Sequence, residues 1–439
     1  MQSLIRRFAS DYGMLAVLLL LGIVFSGLTL QEQPATDSAA ARRLVASIRR
    51  QVPEKARVLV AVRPTPEDTL LAESLSRELI AAGMDVADVV RGEPQSVRAA
   101  LDRISTAGGR LDAVAATERT SSWLVLSEMR EIFPALGQPP IFVPESYRWP
   151  NFLKADNLLN IANQIAVIAI MAIGMTMVII AGGIDLSVGS LAALSAVIAA
   201  RLIRDQCGGV DASAAGMAGA CAAAIAVCGL LGGLSGAVIT LFGVPPFIVT
   251  LAMMLVASGL AYLASAGQSI YQLPESFVWL GRGSGLFGLP HAVVLMFLLY
   301  AAAHVLMSRT TLGRYLYAVG GNREAARLSG VPVRRVLLFA YIACGLLAGL
   351  GGVIMASQLK SGSPTYGNMY ELYVIAAVVV GGTALSGGEG KILGTLIGAF
   401  IIAVIQNGMN LTNIESYTQK VVLGLVILAA VLVDRLRHR

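Results

Sequence analysis

Long unbroken apolar runs limit the folds open to this chain more than any other feature of the sequence. One reaches from about Tyr12 to Leu30, and nine more lie near 158–181, 185–204, 214–241, 247–267, 290–308, 334–357, 371–386, 391–410 and 418–434. An α-helix needs about 20 mainly apolar residues to cross ~30 Å of hydrocarbon. Of the 439 residues, 56% are hydrophobic and only 14% charged, where soluble domains carry about a quarter charged residues. The chain reads as an α-helical polytopic membrane protein with about ten transmembrane helices. Its net charge of +6 does not imply nucleic acid, because the basic residues gather at the ends of the runs.

An even number of spans puts both termini on one side. The loops expected inside hold Arg6, Arg7, Arg309, Arg314, Arg323, Arg327, Arg334, Arg335, Lys391, Arg435, Arg437 and Arg439, while the short outer loops hold Arg201, Arg204, Arg282, Lys360 and Lys420. Cytoplasmic loops carry the excess of Lys and Arg, so the termini are expected in the cytoplasm. Arg201 and Arg204 do not fit this pattern. A cleaved signal peptide is the competing reading of residues 1–30, although the run is long for one and no clear A-x-A site follows it.

Residues 31–150 change character. Strand-like Val58–Val62, Val86–Val90, Leu111–Ala116 and 141–143 alternate with helical stretches near 67–82, 94–107 and 120–131. That alternation predicts a parallel α/β domain, which the span count places outside the membrane on the extracytoplasmic side. No G-x-G-x-x-G follows the first strand, so a dinucleotide site is not supported. The order loosely resembles one lobe of a periplasmic sugar-binding protein; ligand sensing and a structural or docking role both stay open.

Between two late spans stands a charged island, Arg309 to Arg314 and then Gly320 to Gly330. Asn322 is placed to cap a short helix, and Gly330 to end it in the left-handed conformation. Arg323, Glu324 and Arg327 would then face water. A short polar helix between spans suits docking of another protein, and a solvated connecting loop is the plainer alternative.

Glu324-Ala325-Ala326-x-x-x-Gly330 resembles the EAA…G loop of ABC importer permeases. Its flank Leu312-Gly313-Arg314-Tyr315-Leu316-Tyr317-Ala318-Val319-Gly320-Gly321-Asn322 is similar to the ribose-type sugar permeases, as is Gly183-Ile184-Asp185-Leu186-Ser187-Val188-Gly189-Ser190. The resemblance covers residues 151–439 and the first span; the insert at 31–150 departs from it. It implies a permease that is not itself an enzyme. Such a permease pairs with a second copy of itself and with a separate ABC ATPase subunit, and it takes a monosaccharide from a periplasmic solute-binding protein in the inner membrane. Asn322, Arg323, Glu324, Ala325, Ala326, Arg327 and Gly330 would be its ATPase-coupling loop. ATP and magnesium would sit on the partner. Leu385-Ser386-Gly387-Gly388-Glu389 reads like an ABC ATPase signature, but no G-x-x-x-x-G-K-[ST] exists in the chain. The resemblance makes it a glycine-rich turn between spans.

Inside the apolar runs, Gly182-Gly183 frees the backbone to turn, and Asp185 or Ser187 is expected to cap the next helix. A capped turn and a part in gating are both open. Glycines four apart (Gly232 and Gly236, Gly345 and Gly349, Gly394 and Gly398) predict close helix packing. Asn160, Asn163 and Gln164 share a helix face, as do Gln406, Asn407 and Asn410. These amides suit either helix–helix hydrogen bonds or the lining of a sugar path. Cys207, Cys221, Cys228 and Cys344 form no CxxC pair and read as small buried side chains, without a metal site. An ATP-independent secondary transporter would need ion-coupling groups within the membrane, for which only Asp185 and His304 offer themselves. A membrane-tethered ligand sensor would not need ten spans.

Overall fold

The computed structural model describes residues 2–437 apart from Pro34, Thr36, Leu286 and Phe287, and leaves aside the side chains of residues 2–12, Ala430 and 433–437. The charges expected inside at Arg6, Arg7, Arg435, Arg437 and Arg439 therefore lie outside the described side chains. The chain divides into two compact units, Met1–Thr29 with Asn151–Arg439, and Leu30–Pro150.

The larger unit opens with helix α1 (Gln2–Leu28). The smaller unit is closed at its base by β1 (Leu30–Gln33) and β6 (Tyr147–Pro150), which pair antiparallel. Between them run α2 (Ser38–Gln51), β2 (Arg57–Val62), α3 (Pro66–Ala81), β3 (Asp85–Arg91), α4 (Pro94–Thr106) and β4 (Ala113–Ala116). Three single turns follow, α5 (Glu118–Ser121), α6 (Leu124–Ser127) and α7 (Met129–Ile132), then β5 (Ile141–Phe142). Strands β2 to β5 form a parallel sheet in the order β3-β2-β4-β5. Both faces of β2 are covered. Val58, Val60 and Val62 pack with Leu44, Ile48, Leu71 and Leu75, and Leu59 and Ala61 with Val97 and Leu101, which is why β2 reads as an unbroken apolar run. The single helix expected near 120–131 is instead three turns. Thr117 and Thr120 form a capping box, Thr120 also donates to the Ala61 carbonyl, and Ser121 and Ser122 bond back to their own chain. Such side chains offer the backbone partners that compete with a continuing helix.

The larger unit continues with α8 (Ala155–Ile180), α9 (Val188–Gln206), α10 (Ala214–Phe242), α11 (Pro246–Ser265), α12 (Trp279–Arg282) and α13 (His291–Arg309). Then come α14 (Thr311–Gly321), α15 (Arg323–Leu328), α16 (Val333–Leu359), α17 (Tyr370–Val380), α18 (Ile392–Leu411) and α19 (Ser416–Arg437). Among the described residues, α8, α10, α11, α13, α16 and α18 are long and apolar enough to cross a membrane. Helix α16 is central and packs on α8, α9 and α10. The glycine rows allow this: a methyl at Gly232 would overlap the Tyr341 carbonyl, and one at Gly345 would overlap that of Cys228. Because lipid tails are as apolar as the helices themselves, close backbone packing of this kind is what drives their association.

The span expected near 371–386 is only the eleven-residue α17, about 17 Å long and too short for the hydrocarbon layer. The chain reaches it through the irregular segment 361–369, which lies along α9. Gly362 pairs with Ile270 and packs on Ala196 and Ala200, while Gly367 packs against Gly189. Non-helical backbone at membrane depth survives only when buried in protein, and Ser361, Gly362, Ser363 and Gly367 are buried.

Candidate functional site

Helix α15 is the short polar helix between α14 and α16. Asn322 Oδ1 accepts from the Ala325 amide at 2.9 Å. At the other end Gly330 takes φ +83°, Gly330 N donates to Arg327, and Val331 N donates to Ala326, the bonded ending of a helix that stops at a left-handed glycine. Ala326 is buried while Arg323, Glu324, Ala325 and Arg327 are exposed. Arg327 bonds Glu324 at 2.5 Å and holds its carboxyl below the usual range. A carboxylate with a depressed folded value supports the fold above its unfolded value, and that support is lost as pH falls through the folded one. The pair is thus intact at neutral pH and weakens only in acid; its full exposure keeps the effect small. Leu328, which the sequence does not single out, is 76% exposed at the tip. Asn322→Ala should cost about 1 kcal/mol of local stability, read as roughly fivefold faster amide exchange across 323–328, and Asn322→Asp should restore protection.

Two glycine turns and the last turn of α14, which leads into α15, meet at the bundle. Gly388 N donates to the Ile180 carbonyl at 2.8 Å, and Tyr317 Oη donates to the Gly390 carbonyl at 2.8 Å. Gly182, Gly320 and Gly387 touch through backbone atoms alone. The end of α8, the end of α14 just before α15, and the 381–391 turn therefore share one junction. Leu385 to Glu389 is a turn, with Gly387 and Gly388 both at positive φ.

The helix break after α8 differs from expectation in one respect. Gly182 takes φ +81°, and a side chain at Gly183 would strike the Tyr341 hydroxyl. Asp185, however, does not cap α9. Its Oδ1 accepts from the amide and hydroxyl of Ser187, which precedes the helix, and Ser187 makes no side-chain cap bond. Asp185 is fully buried, and its Oδ2 has no hydrogen-bond partner among the described residues.

The two amide groups separate. Asn407 and Asn157 bond reciprocally at 2.9 and 3.1 Å, Asn163 donates to the Gly281 carbonyl, and Asn410 accepts from Gln419. These bonds tie elements together. Asn160 is exposed. Gln164 and Gln406 meet at a cavity of about 250 Å³ between α8, α16, α17 and α18, with Gln358, Tyr370 and Tyr373 completing its polar lining. Sequence spacing groups residues within one helix and carries no signal for these last three.

A bundle of membrane-length helices, a polar cavity between them and a solvent-facing helix braced against their ends define a membrane permease. The family model described as branched-chain amino acid transport system / permease component matches residues 157–431, and the chain belongs to that family. It is 45% identical to the ribose import permease protein RbsC of Escherichia coli (strain K12) over 289 residues, 65% of this chain and 87% of that one. It is 44% identical to the Bacillus subtilis (strain 168) ribose import permease over 308 residues, 70% of this chain and 93% of that one. The D-allose transport system permease protein AlsC of Escherichia coli is 36% identical over 285 residues, 65% of this chain and 85% of that one. The chain is a ribose-type ABC sugar permease, a multi-pass inner-membrane subunit and not itself an enzyme. The matched family region begins beyond the 30–150 unit. No solved structure matches the chain significantly.

Proposed function

We propose that this chain forms the membrane path of an ABC importer for a simple sugar of the ribose, allose and arabinose class. Two copies pair with two ATPase subunits, which carry the ATP and magnesium. Both termini lie in the cytoplasm, the Leu30–Pro150 unit lies on the periplasmic side, and the chain makes ten passes, one of them by the irregular 361–369 segment together with α17. The observation that carries this reading is the shared backbone junction of α8, the 381–391 turn and the end of α14, from which α15 follows directly. Residues 322–330, with Leu328, dock on the ATPase. Because the end of α14 meets Ile180 and Gly388 backbone to backbone, movement of α15 carries through α14 to α8 and to α18, which line the polar cavity. Gln164 and Gln406 contact the solute there, while Asn160, Asn163, Asn407 and Asn410 border the outer end of the path. The turn at Gly182, Gly183, Asp185 and Ser187 is the hinge on which α8 and α9 change their angle, a movement that opens the path alternately to either side.

The test expresses the chain with its ATPase and a solute-binding protein and measures uptake of labelled D-ribose, D-allose and L-arabinose. Saturable uptake of at least one sugar is expected, abolished when the phosphate-loop lysine of the ATPase is replaced by alanine. Uptake that survives this replacement would assign the chain to ATP-independent transport.

A further inference from the structure

We propose that a second polar concavity, between α9, α11 and the 361–371 segment, is a sugar-binding station with the Glu371 carboxylate as its principal acceptor; this rests on the importer reading above. The hollow has a volume of about 270 Å³ and is lined by Ser190, Ser258, Tyr262, Thr365, Asn368 and Glu371. Its rim on α11 includes the apolar Met254 and Leu255, the latter 66% exposed. Glu371 is half-buried, and its carboxylate has no ion-pair partner among the described residues. It rests on Gly189, where any side chain would collide with it.

Depth decides what this group can face. Along α9, Ser195 is level with Gly349 of α16 and Ala199 with Val353, so Gly189, at the start of α9, lies near the middle of α16. A carboxylate at such depth is not turned to lipid; it faces a water-filled cavity, a partner charge or a solute. The first turn of α17 suits a negative charge, but that role needs none of the hydroxyls gathered opposite. Four hydroxyls, an amide and an anionic acceptor match the alternating donors and acceptors of a monosaccharide, and bonds from sugar hydroxyls to a carboxylate are the strong, charge-assisted kind. The first cavity lies on the Tyr370 side of the same segment, so the irregular chain separates two stations. A bound sugar would cover these polar groups, and a solute that lacks a matching hydroxyl would then leave one of them unpaired.

The experiment uses membrane vesicles holding the whole complex and measures uptake of the same three sugars. Glu371→Gln should lower uptake at least tenfold and change the order of preference among the sugars, which a merely structural role would not do. Glu371→Asp should recover part of the rate, Ser258→Ala should lose a few-fold, and Glu415→Gln, at the turn before α19, should match the unsubstituted chain. Normal uptake by Glu371→Gln with an unchanged preference overturns the station and leaves the importer reading standing. Failure of the unsubstituted complex to import any of the sugars removes both, and is recognised without any variant. Should Glu371→Gln not fold, Ser258→Cys carries the test. A charged thiosulfonate should block its uptake beyond the unsubstituted background and an imported sugar should slow the block; lack of reaction overturns the station.

Discussion

Gly320→Ala is expected to remove folded protein from the membrane, whereas Gly321→Ala, one residue on, should be tolerated. A methyl at position 320 would fall on the Ile180 carbonyl oxygen and lie 2.5 Å from the Gly388 amide nitrogen. Overpacking a core costs about 1–3 kcal/mol when side chains can move aside. Here the obstacles are backbone atoms of two other segments that also bond to each other, so the cost exceeds that range. At Gly321 an added methyl meets nothing within 4 Å, and alanine there even gains helix propensity. Detergent-extracted yield, size-exclusion profile and melting temperature measure both. A well-behaved Gly320→Ala protein would show that the junction is loose and would weaken the coupling scheme built on it.

Leu328→Asp should leave the chain folded and inserted yet reduce sugar uptake below about one tenth, with loss of ATPase copurification. Leu328 is solvent-facing in the isolated chain, so the substitution costs the permease little. Once docked, the new carboxylate would be buried without a partner, and an unpaired polar group so buried costs about 1–3 kcal/mol or more, enough for a tenfold loss. Normal copurification and uptake would place the ATPase contact elsewhere than on α15.

How much of this was legible depended on whether a feature is local. The caps at Asn322 and Gly330 use residues within one turn of each other, and both stand where the spacing predicts. Leu385 to Glu389 likewise is a turn in sequence and in space. The break at Gly182-Gly183 was visible, but the role of Asp185 was not: its carboxylate is taken by Ser187 ahead of α9 and caps no amide within that helix. Asn407 and Asn410 share a face with Gln406 on paper. In the fold Asn407 is taken by Asn157, 250 positions away, and only Gln406 reaches the cavity. For α17, apolar composition promised a full span because hydropathy records transfer to lipid and is blind to where the backbone leaves the helix.

The sequence alone settled that the chain lives in a membrane, which runs become helices, and that an α/β segment interrupts them, because burial of apolar side chains and satisfaction of backbone bonds within a helix are properties of consecutive residues. Only the tertiary structure decided that α17 is a half-length helix, that two glycine turns meet the end of α14 at one point, and that Glu371 stands beside hydroxyls from α9 and α11. Those facts depend on which distant backbones can approach within contact distance, and that is set by packing the helices together.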